Sequence, residues 1–208
     1  GMIRLFTDFA MGTVGHTRGG PAKVSVISSG LMGTINGSGV ANVVTTGQFT
    51  IPLMKRFGYR AEFAGGVEAT SSMGGQIMPP VMGAVAFIMA ETINVPYVEV
   101  VKAATLPALL YFASAFWMVH LEAGRMGLHG LPKAECPDAW AALRRGWRLI
   151  LPLAALVWLL FSGYTPLFSG TVGLALTAIL ILGAAVAARL TFAGLRTAFW
   201  IALGLACA

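Results

Sequence analysis

Charged residues are scarce in this sequence of 208 residues, where Asp, Glu, Lys and Arg make up 11%. Soluble domains carry about 25% charged residues, whereas 57% of this chain is hydrophobic and its mean hydropathy is +0.78. The shortage of charge excludes an ordinary soluble domain and predicts an all-α polytopic protein of the lipid bilayer. The net charge of +6 does not indicate nucleic acid, because Lys and Arg of membrane proteins collect in cytoplasmic loops.

Cysteine and histidine are also rare. The two cysteines, Cys136 and Cys207, lack ligand spacing, which argues against a disulfide framework or a structural metal site. The three histidines are scattered and show no metal-ligand spacing with Cys or carboxylates, so we assign them no catalysis.

The sequence also lacks features of a complete membrane protein. Its start has no pattern of a cleavable signal peptide, and the apolar run from Thr197 stops at Ala208 after 12 residues. A spanning helix needs about 20 residues. We therefore expect this chain to be a piece of a larger membrane protein.

Long apolar runs are present in the interior of the chain. Residues 103–121 and 170–188 are each 19 residues long without a charge, which is close to spanning length. Residues 149–168 form a third predicted span. Residues 62–93 are predicted to form a longer helix that the dipeptide Pro79–Pro80 interrupts.

Residues 24–54 have basic residues on both sides, namely Arg18, Lys23, Lys55, Arg56 and Arg60. If basic clusters mark the cytoplasm, this segment enters and leaves the membrane by the same face. Its apolar arms, 24–35 and 40–53, hold 12 and 14 residues. They would reach about 18 and about 21 Å into a hydrocarbon core of about 30 Å. The pattern predicts a re-entrant helical hairpin whose tip, "NGSG", lies near mid-membrane.

The chain is accordingly divided into five predicted segments. They are the end of a preceding helix with a basic connection (1–23), the re-entrant hairpin (24–54), the broken helix and following span (55–121), a basic cytoplasmic loop with an interfacial helix (122–147), and further, truncated transmembrane helices (148–208).

The hairpin tip carries side-chain oxygens on Asn36, Ser38 and Asn42, and Gly37 and Gly39 let the chain turn and expose its carbonyls. Oxygen-only ligands suit a hard cation such as Na⁺. The second arm would present helix N-terminal N–H groups to an anionic substrate, with Ser38, Gly39 and nearby Thr45 as candidate contacts. The alternative is a capped turn between helices that binds nothing.

The second polar break lies in "SSMGGQIMPPVMG". Each proline removes a backbone donor and frees the carbonyl four residues before it, which makes Gly75 and Gln76 candidate ion ligands. Ser71 and Ser72 are candidate substrate contacts, and Pro79 and Pro80 form a candidate hinge. A single proline kink is usually structural, but paired broken helices near the midplane form ion and substrate sites in many secondary transporters.

Glu68 is predicted to lie within the membrane, about two turns into the 62–93 helix. Intramembrane carboxylates are costly and mark functional sites. Proton carriage, an ion contact and a purely structural hydrogen bond to a neighbouring helix are all open interpretations.

The two breaks resemble a known family. "GGPAKVSVISSGLMGTINGSGVANVVTTGQFTIPLMKRFGY" and "GGVEATSSMGGQIMPPVMGAVAFIMAE" look like the large membrane subunit of tripartite ATP-independent periplasmic (TRAP) transporters. They are most similar to the fused-permease branch that works with TAXI-type binding proteins. The similarity runs from about Gly19 to Ala113, and the remainder agrees only in its pattern of spans.

The resemblance implies an elevator-type importer of organic acids in a bacterial or archaeal cytoplasmic membrane, usually driven by Na⁺. It also implies three partners: a periplasmic binding protein, the remaining permease helices with a second hairpin, and a small membrane subunit or its fused equivalent. In such permeases the first hairpin and the following broken helix form one ion site and half of the substrate site. Those elements correspond here to residues 36–42 and 71–80.

Three other interpretations compete with a transporter fragment. A stand-alone carboxylate symporter of similar architecture would need no binding protein. An intramembrane enzyme would use Ser38, Ser71 or Ser72 as nucleophile, although no His or Lys is placed to activate a serine. A membrane scaffold would leave both polar breaks without a purpose.

Overall fold

The structure is a computed structural model that describes residues 2–132 and 136–189. These residues form helices and connecting turns without a β-strand, as the all-α prediction required. The predicted apolar run from Thr197 and Cys207 lie outside the described residues. The helices are α1 (Met2–Val14), α2 (Gly20–Asn36), α3 (Gly39–Arg56), α4 (Ala61–Gly74), α5 (Ala84–Thr92), α6 (Tyr97–Arg125), α7 (Ala139–Phe161) and α8 (Pro166–Arg189).

The predicted hairpin is the pair α2 and α3, which are separated only by Gly37 and Ser38. Helix α2 ends because Gly37 adopts φ +56°, a left-handed conformation that glycine tolerates. Both helices are longer than the predicted arms, with 17 and 18 residues. At 1.5 Å per residue they measure about 26 and about 27 Å, still below the ~30 Å hydrocarbon core.

The start of α2 differs from the prediction. The helix begins at Gly20, because Pro21 fits the first helical turn, where no backbone donor is needed. Lys23 therefore lies inside the helix instead of in a basic connection. Its side chain is buried, with the ammonium 4.8 Å from the ring centroid of Phe116.

The broken helix is interrupted several residues before its two prolines. Helix α4 ends at Gly74, and α5 starts at Ala84. The interruption was predicted at Pro79–Pro80, but prolines at 79 and 80 cannot donate to the carbonyls of residues 75 and 76. The N–H groups of residues 75–78 already donate to carbonyls three residues back instead of four, and residues 75–81 form a succession of turns.

The later helices also differ in their bounds from the predicted spans. Helix α6 contains 103–121 and is, among the described residues, the one helix of spanning length and composition. Helix α7 ends at Phe161 instead of residue 168, because a turn with Gly163 at φ +88° follows it and α8 starts at Pro166. Residues 139–147 form the first turns of α7 instead of a separate interfacial helix.

The described chain divides into two compact units, Gly1–Trp147 and Arg148–Ala208. In the first unit, α2 is central and packs against α1, α3, α4 and α6. The shared apolar core consists of Ala22, Val26, Met54, Tyr59, Ala64, Val67, Val119 and Ala123. In the second unit, Gly173 of α8 lies against Leu156 of α7.

Large apolar side chains remain exposed along much of α6. They include Leu106, Leu109, Leu110, Trp117 and Met118. Exposed apolar surface of this extent marks contact with lipid or with other protein. Helix α6 therefore has the surface expected of a helix within a membrane.

Candidate functional site

The hairpin tip is held by two local hydrogen bonds. The backbone N–H of Ser38 donates to Asn36 Oδ1 (3.2 Å), and the N–H of Ala41 donates to Ser38 Oγ (3.3 Å). Ser38 is thus the N-cap of α3, a role that serine fills well. Two of the predicted ligand oxygens therefore also serve the turn itself, while Asn36 Nδ2 is buried without a partner.

The structure brings the tip and the second break into contact, as the candidate site requires. A Cβ built on Gly37 would collide with the carbonyl oxygen of Met82, and one on Gly39 would collide with the sulfur of Met73 and lie 3.2 Å from Gln76 Nε2. The small residues of the tip therefore allow its backbone to lie directly against residues 73–83.

Asn42 lies one turn into α3, next to the second break. Its side chain is fully buried. Its amide Nδ2 donates to the backbone carbonyl of Ser29 on α2 (2.8 Å) and lies 3.3 Å from a Cβ built on Gly75. Its Oδ1 is buried without a hydrogen-bond partner. A buried amide oxygen without a donor is uncommon and suits a cation ligand.

The carbonyls freed by the prolines have partners within the break. Gly83 N–H donates to the carbonyl of Gln76 (2.9 Å), and Met78 N–H donates to that of Gly75 (3.3 Å). A carbonyl oxygen has two lone pairs, so each keeps one for a further ligand.

The end of the second break, which contains the candidate hinge residue Pro80, is bonded to α6 by a residue that the sequence did not single out. The hydroxyl of Tyr97 lies 2.9 Å from the carbonyl oxygen of Pro80 and 2.7 Å from that of Val81, and donates to them. The Tyr97 ring also stacks on Phe87 of α5, with centroids 4.4 Å apart. This aromatic contact fixes the end of the break.

The predicted substrate contacts do not share one location. Thr45 bonds back to the carbonyl of Ala41 (2.8 Å), and Ser72 donates to Glu68 (3.0 Å). Ser71 has a buried Oγ without a partner and lines a cavity of about 450 Å³ between α4 and α6. Only Ser38 and Gly39 lie at the tip itself.

Glu68 is fully buried and accepts hydrogen bonds from five hydroxyl groups. Its Oε2 accepts from Ser25 (2.6 Å) and Thr50 (2.5 Å). Its Oε1 accepts from Ser29 (3.1 Å), Ser72 (3.0 Å) and Thr46. We call these five residues the hydroxyl cage. The cage joins α2, α3 and α4 around one carboxyl group.

Sequence reasoning did not predict that four of the cage residues, Ser25, Ser29, Thr46 and Thr50, contact Glu68. The available signal was spacing: each helix contributes a polar pair four residues apart, at 25 and 29, 46 and 50, and 68 and 72. Side chains at this spacing share one face of a helix. Three such pairs in consecutive apolar helices would have pointed to a common polar centre.

Comparison with known proteins identifies the family of this chain. Residues 1–206 match the family model described as "Tripartite ATP-independent periplasmic transporter, DctM component". The C4-dicarboxylate TRAP transporter large permease protein DctM of Pseudomonas aeruginosa and the sialic acid TRAP transporter large permease protein SiaM of Vibrio cholerae are each 28% identical over 167 residues. The 2,3-diketo-L-gulonate TRAP transporter large permease protein YiaN of Escherichia coli is 25% identical over 173 residues.

The match covers most of this chain but less than half of each relative. It includes 80% of the chain for DctM and SiaM and 83% for YiaN. The chain spans about 40% of the length of these curated relatives, which are transporter permeases by name and not enzymes.

Proposed function

The chain belongs to the DctM component family of tripartite ATP-independent periplasmic transporters, and we propose that it is part of a permease that imports an organic acid by cation symport. Two similar permeases are named for C4-dicarboxylates and sialic acid, which supports an acid substrate. The proposed permease lies in a bacterial or archaeal cytoplasmic membrane. It receives its substrate from a periplasmic binding protein of the TAXI type.

The hairpin α2–α3 is proposed to be re-entrant, with its tip at membrane depth. Basic residues at both ends of the hairpin and helix lengths of 17 and 18 residues support this placement. The rest of the permease would supply a second hairpin and a small subunit or its fused equivalent, and the assembly would move as an elevator.

A coupling cation, Na⁺ in our proposal, would be held where the tip meets the second break. The observation that carries this proposal is the buried, unpartnered Oδ1 of Asn42 beside Gly75. Oxygen ligands without sulfur or imidazole suit a hard cation. The proposed ligand set comprises side chains or carbonyls of Asn36, Gly37, Ser38, Asn42, Gly75 and Gln76.

The substrate carboxylate is proposed to lie at the start of α3. Backbone N–H groups of a helix N-terminus attract anions, and the helix dipole adds to this attraction. Ser38, Thr45, Ser71 and Ser72 remain proposed contacts, although Ser72 donates to Glu68 in this structure.

Uptake by the complete permease that contains this sequence tests the proposal. The permease is reconstituted in liposomes, and entry of radiolabelled C4-dicarboxylates and sugar acids is measured with and without a Na⁺ gradient and the binding protein. We expect uptake that needs both. Uptake without the binding protein would favour a stand-alone symporter, and uptake indifferent to Na⁺ would contradict the tip as a Na⁺ site.

The matched pair of variants is Asn42→Ala and Gln48→Ala, both of which remove an amide from α3. Gln48 is exposed and donates to the carbonyl of Val44 (2.7 Å). We expect Asn42→Ala to raise the Na⁺ concentration for half-maximal uptake by about tenfold, equivalent to ~1.4 kcal/mol. Gln48→Ala should leave it unchanged.

A further inference from the structure

The hydroxyl cage differs from most carboxylate sites in that all of its donors are hydroxyl groups. A backbone or amide N–H only donates, whereas a hydroxyl both donates and accepts and can rotate between the two roles. The five cage hydroxyls come from Ser25, Ser29, Thr46, Thr50 and Ser72. The cage hydroxyls can therefore accommodate a carboxylate, which only accepts hydrogen bonds, as well as a protonated carboxyl group, which also donates one.

The two threonines of the cage have a second partner within reach. Thr46 Oγ1 lies 2.8 Å from the carbonyl oxygen of Asn42, and Thr50 Oγ1 lies 3.1 Å from that of Thr46. Ser29 Oγ lies 3.1 Å from Thr46 Oγ1, and either can donate to the other. These hydroxyls can leave Glu68 by rotation alone and remain hydrogen-bonded.

Both protonation states of Glu68 are therefore satisfied in the same packing. An ionised carboxylate only accepts and can take all five hydroxyl bonds. A protonated carboxyl can donate its own O–H to Thr46 Oγ1, while Thr46 turns its own hydroxyl to the carbonyl oxygen of Asn42, 2.8 Å away. Neither state leaves a buried hydroxyl without a partner, a situation that would cost about 1–3 kcal/mol.

No cation neutralises Glu68 within the part of the chain that is described. The ion pairs there join Arg60 to Glu62, Lys102 to Glu99 and Arg125 to Glu122. Lys23, on α2, directs its ammonium to Thr17 Oγ1 (3.3 Å) and the Phe116 ring. The remaining ionisable groups on the helices packed against α4 are Lys55 and Arg56 of α3, and Tyr97, Tyr111 and His120 of α6.

Tyr111 also has its own partner, since its hydroxyl donates to the carbonyl of Thr70 (2.8 Å). Burying an uncompensated charge is costly. A fully buried carboxyl group whose partners are all neutral therefore changes its charge most simply by gaining or losing a proton.

We propose that Glu68 binds and releases a proton during transport, at a site made by the hydroxyl cage and separate from the cation site at the hairpin tip. The proton adds to one carboxylate oxygen in one state of the transport cycle and leaves it in another, with no other bond made or broken. The cage joins both arms of the hairpin to α4, so the proton is bound where those three helices meet. This inference rests on the proposed transport function.

Infrared spectroscopy of the purified complete permease tests the site without any need for transport. Acidification should produce the C=O band of a protonated carboxylic acid shielded from solvent. Glu68→Gln should abolish that band, and Glu62→Gln, which removes an exposed carboxyl of the same helix, should retain it. A band that persists in Glu68→Gln, or that is absent from the unsubstituted permease, would overturn the proposal.

A second variant covers the case in which Glu68→Gln does not fold. Thr50→Val keeps the shape of the side chain and removes one hydroxyl donor to Oε2. Because a hydrogen bond to the oxygen of a C=O group lowers its stretching frequency, loss of this donor should shift the carboxylic acid band to higher frequency. An unchanged band position would assign the band to another carboxyl and overturn the proposal.

Proton movement in liposomes gives the functional arm of the test. A pH-sensitive dye inside the liposomes should report acidification that accompanies substrate uptake, and Glu68→Gln should abolish it while Glu62→Gln retains it. Substrate uptake in the unsubstituted permease without acidification would overturn the proton site and leave the proposed transport function intact. Absence of uptake for every acid tested would contradict the transport function itself, whereas the infrared result would still decide whether Glu68 takes up a proton.

Discussion

Gly33 of α2 and Gly75 of the second break lie backbone to backbone. A Cβ built on either residue would collide with the Cα of the other. Only glycine at both positions allows this approach, which brings the first arm of the hairpin against the start of the break. Gly33 and Gly75 are 42 residues apart in the sequence. Their contact joins the hairpin and the second break into one structural feature.

Gly33→Ala should separate the hairpin from the break. Inserting a methyl group into a tight backbone contact costs about 1–3 kcal/mol, so we expect a lower melting temperature and weaker Na⁺-dependent uptake by the complete permease. Gly65→Ala is the control, since a Cβ at this helical position meets no atom within 4 Å and Ala favours helix over Gly by about 1 kcal/mol. Equal losses in both variants would contradict the role of the Gly33–Gly75 contact.

Ser38→Ala should remove the N-cap of α3. The expected loss is about 1 kcal/mol of stability, measured by thermal or denaturant unfolding, together with a higher Na⁺ requirement for uptake. Ser38→Asn separates the two effects, because Asn also caps helices well. If Ser38 serves only as a cap, Ser38→Asn restores both properties. If its oxygen also contacts the ion, stability recovers and the Na⁺ requirement stays raised, as we expect.

Tyr97→Phe should loosen the end of the broken helix. The substitution keeps the ring stacked on Phe87 but removes the hydrogen bond to the carbonyls of Pro80 and Val81. We expect a loss of about 1 kcal/mol and faster amide hydrogen exchange in residues 80–86. The control, Tyr164→Phe, removes an exposed hydroxyl and should have no effect on exchange in that segment.

Cysteine labelling of the complete permease tests the re-entrant placement. Arg18→Cys and Arg60→Cys lie at opposite ends of the hairpin and should both react from the cytoplasmic side. Asn94→Cys, in the exposed connection between α5 and α6, should react from the periplasmic side. Labelling of Arg18→Cys and Arg60→Cys from opposite sides would mean that α2 and α3 together cross the membrane.

Local sequence signals predicted the helical class and the two breaks well. Gly37 and Ser38 end one helix and start the next by backbone conformation and capping, which depend on neighbours in sequence. The double proline predicted an interruption, but the helix already ends at Gly74, after which the N–H groups of residues 75–78 donate to carbonyls three residues back. The predicted bounds of α2 and α7 were less accurate because single residues near the helix ends, Pro21 and Gly163, set where α2 starts and α7 stops.

The hydroxyl cage was harder to predict from the sequence than the helices and the two breaks. Sequence reasoning singled out Glu68 and Ser72, but Ser25 and Thr50 meet the carboxylate only after α2, α3 and α4 pack together. Serine and threonine in membrane helices commonly bond to their own backbone, so their presence alone does not indicate a partner. Likewise, nothing local indicates that Tyr97 reaches back to Pro80.

The Na⁺ dependence of thermal stability tests the cation site most directly. A ligand that binds only the folded protein stabilises it, by about 2.7 kcal/mol at a hundredfold excess over Kd. For the purified complete permease, we expect the melting temperature to rise with NaCl but not with equal concentrations of choline chloride. Asn42→Ala should lose this rise and Gln48→Ala should keep it. An equal Na⁺-specific rise in Asn42→Ala would contradict a cation site where the hairpin tip meets the second break.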